Sequence, residues 1–104
     1  GVHSLAMPSP EKLTSLLPSE SIEIKPLGAW GLQSYSVVAL SLRNQRAQEV
    51  LLNPKDLQGD FYSATFQHSW LGAKGTPEDT TVVYLVAKGR LENAFLPELT
   101  IKED

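Results

Sequence analysis

The sequence predicts an all-β protein: an antiparallel β-sandwich, Ig-like or a partly open barrel, with a short N-terminal helix. Apolar residues alternate with a period of two in four segments, which is typical of half-buried strands. Glycine, proline and asparagine separate these segments at the spacing of turns. With 104 residues, 41% of them hydrophobic, the chain is long enough for one small core.

A short helix is predicted before the strands begin. Ser9 suits the N-cap position and Pro10 the first helical position. Three leucines follow at helical spacing, so we expect about two turns ending before Pro18. A helix this short is unstable alone and needs a surface to pack against. We therefore assign residues 1–20 to a linker that carries this helix and residues 21–104 to the sandwich domain. The leucines are Leu13, Leu16 and Leu17.

The first half of the domain contains two strand segments and the start of a third. Ile22 and Ile24 alternate with charged residues, and we expect Pro26 and Gly28 to close that strand. The clearest strand signal runs over residues 33–43, where alternate apolar residues share one face. Turn residues occupy 44–48, and the alternation resumes at Val50 and Leu52. The pattern thus predicts a hairpin between 33–43 and 50–52.

Two further strands are predicted in the second half. Residues 61–67 alternate in polarity, and residues 80–88 carry apolar side chains on both faces. A strand that is apolar on both faces is typical of the centre of a sheet. The expected core consists of Val38, Leu40, Leu42, Leu52, Phe66, Val83 and Leu85.

The chemistry of the chain argues against an enzyme or a metalloprotein. There is no cysteine, and the two histidines, His3 and His68, lack the spacing of metal ligands. The chain contains neither a nucleophile motif nor a glycine-rich phosphate loop. We expect no catalytic, cofactor-binding or metal-binding residue. The net charge of −3, without a basic run, and the lack of a long apolar stretch indicate no direct binding of nucleic acid and no membrane insertion.

Aromatic residues are the remaining functional signal. They could form the core, or an exposed face that binds carbohydrate or protein. Trp70 and Leu71 lie in a segment bounded by glycines, with His68 and Lys74 beside them. We predict that these four residues bind a partner protein, together with a sheet edge. The sequence leaves open whether the Trp70 ring is exposed or part of the core.

Several stretches of the chain resemble one family of proteins. The Asn-Pro-Lys-Asp-Leu-Gln-Gly and Ala-Thr-Phe-Gln-His stretches are the most specific. The chain is similar there to TraK-like integrating conjugative element proteins, which are periplasmic components of the outer-membrane core complex of conjugative type IV secretion machines. The resemblance covers about residues 26–95. The matching stretches are Pro26–Trp30, Val37–Asn44, Leu52–Asp60, Ala64–His68 and Gly75–Val86.

The resemblance implies a structural role in conjugative DNA transfer. It implies the C-terminal domain of a longer secreted protein, held in the periplasm and associated with the outer membrane. Its partners would be a small lipoprotein and a large channel-forming subunit, with no cofactor, and it leaves oligomerisation open. The alternative is a carbohydrate-binding or adhesin-like module, which several coplanar aromatic rings on one exposed face would favour.

Overall fold

The computed structural model describes residues 1–18 and 21–95, and these form two packed layers. A five-stranded antiparallel sheet has the order β1-β2-β3-β7-β5, and a small sheet pairs β4 with β6. The predicted all-β sandwich class, with its short N-terminal helix, is confirmed. The elements are β1 (Val2–Ser4), α1 (Pro10–Thr14), β2 (Ile22–Leu32), β3 (Tyr35–Asn44), β4 (Val50–Leu51), β5 (Ser63–Phe66), β6 (Trp70–Leu71) and β7 (Thr80–Lys88), with short 3-10 turns at Pro54–Asp56 and Leu91–Asn93.

The core lies between the inner face of the large sheet and the elements that cover it. All the residues predicted for the core are buried except Phe66, which is half-buried and packs against the cluster. The small sheet and the N-terminal helical segment cover this face, and the C-terminal 3-10 turn adds to the cover. The covering residues of the cluster are Leu13, Leu16, Leu17, Val50, Leu52, Leu57, Leu71, Leu91, Ala94 and Phe95.

β7 has the predicted bounds and the predicted central position. It pairs with β3 on one side and with β5 on the other. Val83, Leu85 and Ala87 face the core, whereas Val82 and Val86 are only half-buried on the outer face. The apolar residues on both faces therefore mark a central strand, as expected.

The first strand is longer than predicted, because Pro26 does not end it. β2 continues to Leu32 through a register shift between Pro26 and Gly28. Gln45 N–H donates to the carbonyl of Ser21. Before the register shift, the odd-numbered residues of β2 are therefore the ones that hydrogen-bond to β3. The nitrogen of Pro26 thus faces away from β3, where no N–H is needed.

A two-residue turn joins β2 to β3, so β3 begins at Tyr35 rather than at Gln33. Gln33 has a φ of 54°, in the left-handed region that a tight hairpin requires at its first turn residue. Glycine or asparagine usually occupies such a position, and its absence explains why the sequence pattern did not predict the turn.

The predicted hairpin between 33–43 and 50–52 is wrong. β3 pairs with β2 and β7, and β4 pairs with β6 in the second sheet. The chain leaves the large sheet at Asn44. The buried side-chain amide of Asn44 donates to the carbonyls of Gln48 and Gly72, and the chain turns there toward the other layer. Alternation alone does not reveal in which layer a strand pairs. The strand predicted at 61–67 is present but shorter.

The described part of residues 1–20 packs against the sheet rather than leading away from it. β1 pairs with β2, and the leucines that follow Pro10 lie in the core cluster. Ser9 occupies the N-cap position but its side chain makes no capping hydrogen bond. Because so short a helix is unstable alone, its packing against the core is what stabilises it.

Candidate interaction surface

The small sheet presents an apolar face to solvent. Leu51 on β4 lies directly opposite Trp70 on β6, and their side chains share the outer face. Leu51 is 82% exposed and Trp70 is 38% exposed. The His68 ring lies beside the indole, with 6.1 Å between the ring centroids. We call Leu51, His68 and Trp70 the β4–β6 platform.

Hydrogen bonds to Thr81 and Trp70 hold His68 in the platform. The His68 N–H donates to the Thr81 hydroxyl at 3.1 Å, and that hydroxyl donates to the His68 carbonyl at 3.1 Å. The imidazole Nδ1 lies 2.7 Å from the Trp70 carbonyl oxygen. Because a carbonyl only accepts, Nδ1 carries the proton, and Nε2 is an acceptor when the ring is neutral. The ring is therefore fixed in one orientation beside Trp70.

The layer beneath the platform is apolar and closed. Leu71 is completely buried, and its cross-strand partner Val50 and the nearby Leu52 are also buried. Leu52 N–H donates to the Ser69 carbonyl at 2.7 Å, which extends the pairing of the two strands. Leu71 was predicted to contact a partner, and this is corrected: strand alternation turns its side chain inward when Trp70 faces out.

Asn44 ties together the loops behind the platform. Its side-chain amide donates to the carbonyls of Gln48, at 2.7 Å, and Gly72, at 3.0 Å. Its side-chain oxygen accepts from Arg46 N–H at 2.9 Å. The side chain is fully buried, so these bonds replace its contacts with water. One residue thus fixes both the turn after β3 and the loop after β6.

Asp79 fixes the other end of the same loop. Its carboxylate accepts from Gly75 N–H at 2.9 Å, from the Thr80 hydroxyl at 2.8 Å and from Arg43 Nε at 3.2 Å. The Gly75 hydrogen bond, the Thr80 hydrogen bond and Arg43 together hold the pKa of Asp79 below its ordinary value, against the opposing effect of burial. We call Asn44, Asp79 and Thr81 the polar corner.

The structure brings together part of the predicted partner-binding set. His68 and Trp70 form the platform with Leu51. Lys74 is exposed in the next loop, where its backbone N–H donates to the Arg46 carbonyl at 2.7 Å. The sequence did not single out Leu51. The signal was present, because in the run from Val50 to Leu52 an apolar residue stands at the position that alternation points outward.

A second group of aromatic side chains lies on the outer face of the large sheet. The Trp30 ring lies over Gly28, since a Cβ placed on Gly28 would come 2.7 Å from the indole. Trp30 is 37% exposed, and Tyr84 is also exposed. We call Trp30, Tyr35, Tyr62 and Tyr84 the aromatic face.

Two rings of the aromatic face are not coplanar. Tyr35 and Tyr62 have centroids 5.6 Å apart and planes tilted by 55°. The Lys88 ammonium sits 4.6 Å from the centroid of the Tyr62 ring, a cation–π contact. The face is therefore uneven and carries a positive charge at one end.

Surface grooves differ in the chemistry of their walls. One groove of about 410 Å³ has walls that include His3, Ser36, Arg90 and Glu92. A groove of about 490 Å³ lies between the N-terminal helical segment and β2, with walls that include Pro10, Leu17, Ile22 and Ile24. Within residues 1–18 and 21–95, no three potential metal-ligating side chains come together. In the same ranges no helix has the length and apolar character needed to cross a membrane.

Comparison with known proteins identifies a family. The chain matches the family described as "Protein of unknown function (DUF3438)" over residues 1–104. No curated protein matches the chain.

Proposed function

The chain belongs to this DUF3438 family, and we propose that it is a non-enzymatic protein-interaction domain, a structural scaffold in the envelope complex of a conjugative type IV secretion system. In this proposal the domain lies in the periplasm and is associated with the outer membrane. Its partners are other subunits of the core complex, among them a small lipoprotein and a channel-forming subunit. The resemblance of residues 26–95 to TraK-like proteins supports this assignment.

The exposed pair of Leu51 and Trp70 is the observation that carries the proposal. An exposed leucine opposite a partly exposed tryptophan leaves apolar area in contact with water. Burial of that area by a partner is favourable. Tryptophan is favoured at binding hot spots because one ring buries a large area and freezes few rotamers. His68 adds a ring and an acceptor at the rim.

The arrangement of polar groups supports a binding role over a catalytic one. The buried polar side chains of Asn44, Asp79 and Thr81 bond to this chain's own loops. They hold backbone in place. The platform itself pairs an imidazole with apolar side chains, a composition suited to recognition.

The aromatic face bears on the carbohydrate-binding alternative. Several aromatic rings do share one exposed face, which that alternative requires. However, Tyr35 and Tyr62 are tilted by 55°, and Lys88 covers one face of Tyr62. A sugar-binding shelf needs open, roughly coplanar rings, so we favour a protein partner.

Copurification from a conjugating donor tests the proposed function. The native protein would be purified from the envelope of donor cells, alongside a Leu51→Ser variant. We expect secretion subunits with the native protein, and less of them with the variant at equal expression. Leu27→Ser changes an exposed leucine elsewhere and is the control. Native protein that brings down no secretion subunit, or equal amounts with all three proteins, would contradict the proposal.

A further inference from the structure

β5 is an edge strand whose outward backbone groups can be identified. It pairs with β7 alone. Gln67 N–H donates to the Val82 carbonyl, so in this antiparallel register Thr65 and Ser63 are the strand residues that exchange hydrogen bonds with β7. The N–H and C=O groups of Ala64 and Phe66 therefore point to the open side of the sheet.

The pairing of β7 with β3 gives the same assignment of inward and outward backbone groups in β5. Asn44 N–H donates to the Asp79 carbonyl, which assigns the odd-numbered residues of β7 to β3 and its even-numbered residues to β5. The two ladders are consistent. Among the described residues, no backbone group donates to or accepts from the outward groups of Ala64 and Phe66.

β5 lacks two of the features that proteins commonly use to block further pairing, charge and proline. β5 has the sequence Ser-Ala-Thr-Phe, without charge or proline, and Ser63 and Thr65 are exposed on its outer face. The opposite edge, β1, has three residues against four in β5, and the pairing of Leu5 with Ala29 leaves Val2 and Ser4 with outward backbone groups. The longer open edge is thus that of β5.

A groove runs beside the same edge. Its volume is about 330 Å³, and its walls include Pro54, Lys55, Leu57 and Phe61 as well as Ala64. An added strand would lie about 4.8 Å from β5, on the side that this groove borders. The groove would receive alternate side chains of that strand, next to the half-buried Ala64 and Phe66.

We propose that the β5 edge binds an extended peptide segment of a partner protein, which adds a sixth strand to the large sheet. This inference rests on the proposed function and adds a second contact, separate from the β4–β6 platform. Backbone hydrogen bonds to Ala64 and Phe66 set the register of the added strand against β5. The groove selects a segment in which apolar residues alternate with polar ones.

A single extended segment suits this edge better than a second copy of the chain. The 3-10 turn at Pro54–Asp56 stands close to β5 and forms the far wall of the groove. A lone strand fits beside such a wall. Two copies joined edge to edge would each bring the same wall toward the other's strand.

Amide hydrogen exchange, measured by NMR, tests the inference on the intact chain. The probe is a capped heptapeptide of alternating threonine and valine with lysine at each end. We expect the peptide to slow exchange of the Ala64 and Phe66 amides by about tenfold or more. A matched peptide with its five central amides N-methylated cannot form the ladder, and we expect no effect from it.

Proline substitutions provide the matched variants. Ala64→Pro removes an outward N–H while the residues that pair with β7 are kept, and we expect it to weaken peptide binding by about tenfold. Ser4→Pro makes the equivalent change on β1 and should not affect binding. Circular dichroism verifies that both variants fold. The comparison of the two peptides on the unchanged protein tests the backbone hydrogen bonds to β5 without any substitution.

Four results would overturn the inference. The first is slow exchange of the Ala64 and Phe66 amides before peptide is added. The second and third are equal binding of the two peptides and no binding of either. The fourth is amide exchange that slows as protein concentration rises, with a dimer seen by sedimentation. Trp70→Ala should leave peptide binding unchanged. Failure at the β5 edge is therefore distinguishable from failure of the platform.

Discussion

The β4–β6 platform and the polar corner behind it reverse the usual distribution of side chains. The platform places Leu51 and Trp70 in contact with water, whereas the corner buries Asn44 and Asp79. The buried groups are hydrogen-bonded to loop backbone, so they stabilise a particular chain path. The corner and the core hold the small sheet in place, and in the proposed function the platform side chains bind a partner. Substitutions in the two regions should therefore have different consequences.

The largest contrast is expected between two leucines of the same small sheet. Leu71→Ala leaves a cavity beneath the sheet and should lower the free energy of unfolding by about 2–5 kcal/mol. Leu51→Ala removes an exposed side chain and should change it by no more than about 0.5 kcal/mol. Chemical denaturation of both variants measures the difference. Equal losses would contradict the placement of these side chains.

Asn44→Ala should be the next largest change. It leaves the buried carbonyl of Gly72 and the N–H of Arg46 without their partner, at a cost of about 1–3 kcal/mol. Gln48→Ala, an exposed change in the same turn, is the control and should be nearly neutral. Denaturation midpoints of the two variants would separate a structural amide from an ordinary turn residue. An Asn44 variant as stable as the control would remove Asn44 from the polar corner.

The contribution of Asp79 should depend on pH. Its pKa is lowered in the folded protein, so its stabilising effect is fully present above the ordinary aspartate pKa and is lost as the pH falls through the folded value. Asp79→Asn cannot carry the charge. The stability gap between the native protein and this variant should be constant near neutral pH and narrow below about pH 4. Thermal unfolding across this pH range measures the gap; a gap that persists unchanged in acid would contradict the role of the charge.

The fold class could be predicted because it depends on side-chain periodicity. Val83 and Leu85 were placed correctly in a central strand, since apolar residues on both faces favour a strand with neighbours on both sides. The partner of β4 could not be predicted. It depends on contacts such as the hydrogen bond from Asn44 to Gly72, which joins residues far apart in the sequence.

The candidate surface was predicted only in part. Glycines around Trp70 suggested an accessible segment, but they do not determine which of two neighbouring side chains faces out. Strand pairing with β4 decides this and buries Leu71. Leu51 stands at an outward position in the apolar run from Val50 to Leu52, and the same pairing places it opposite Trp70.

Substitution of the two tryptophans tests directly whether the β4–β6 platform binds the partner. Trp70 and Trp30 are similarly exposed but lie on opposite layers, in the platform and in the aromatic face. Each would be replaced by alanine in the native protein of a conjugating donor, and copurification of secretion subunits and thermal unfolding would both be measured. We predict that Trp70→Ala weakens assembly by about 2 kcal/mol or more while costing about 1 kcal/mol of stability, and that Trp30→Ala leaves assembly intact. Normal assembly of the Trp70 variant, or loss of assembly in the Trp30 variant alone, would contradict the account.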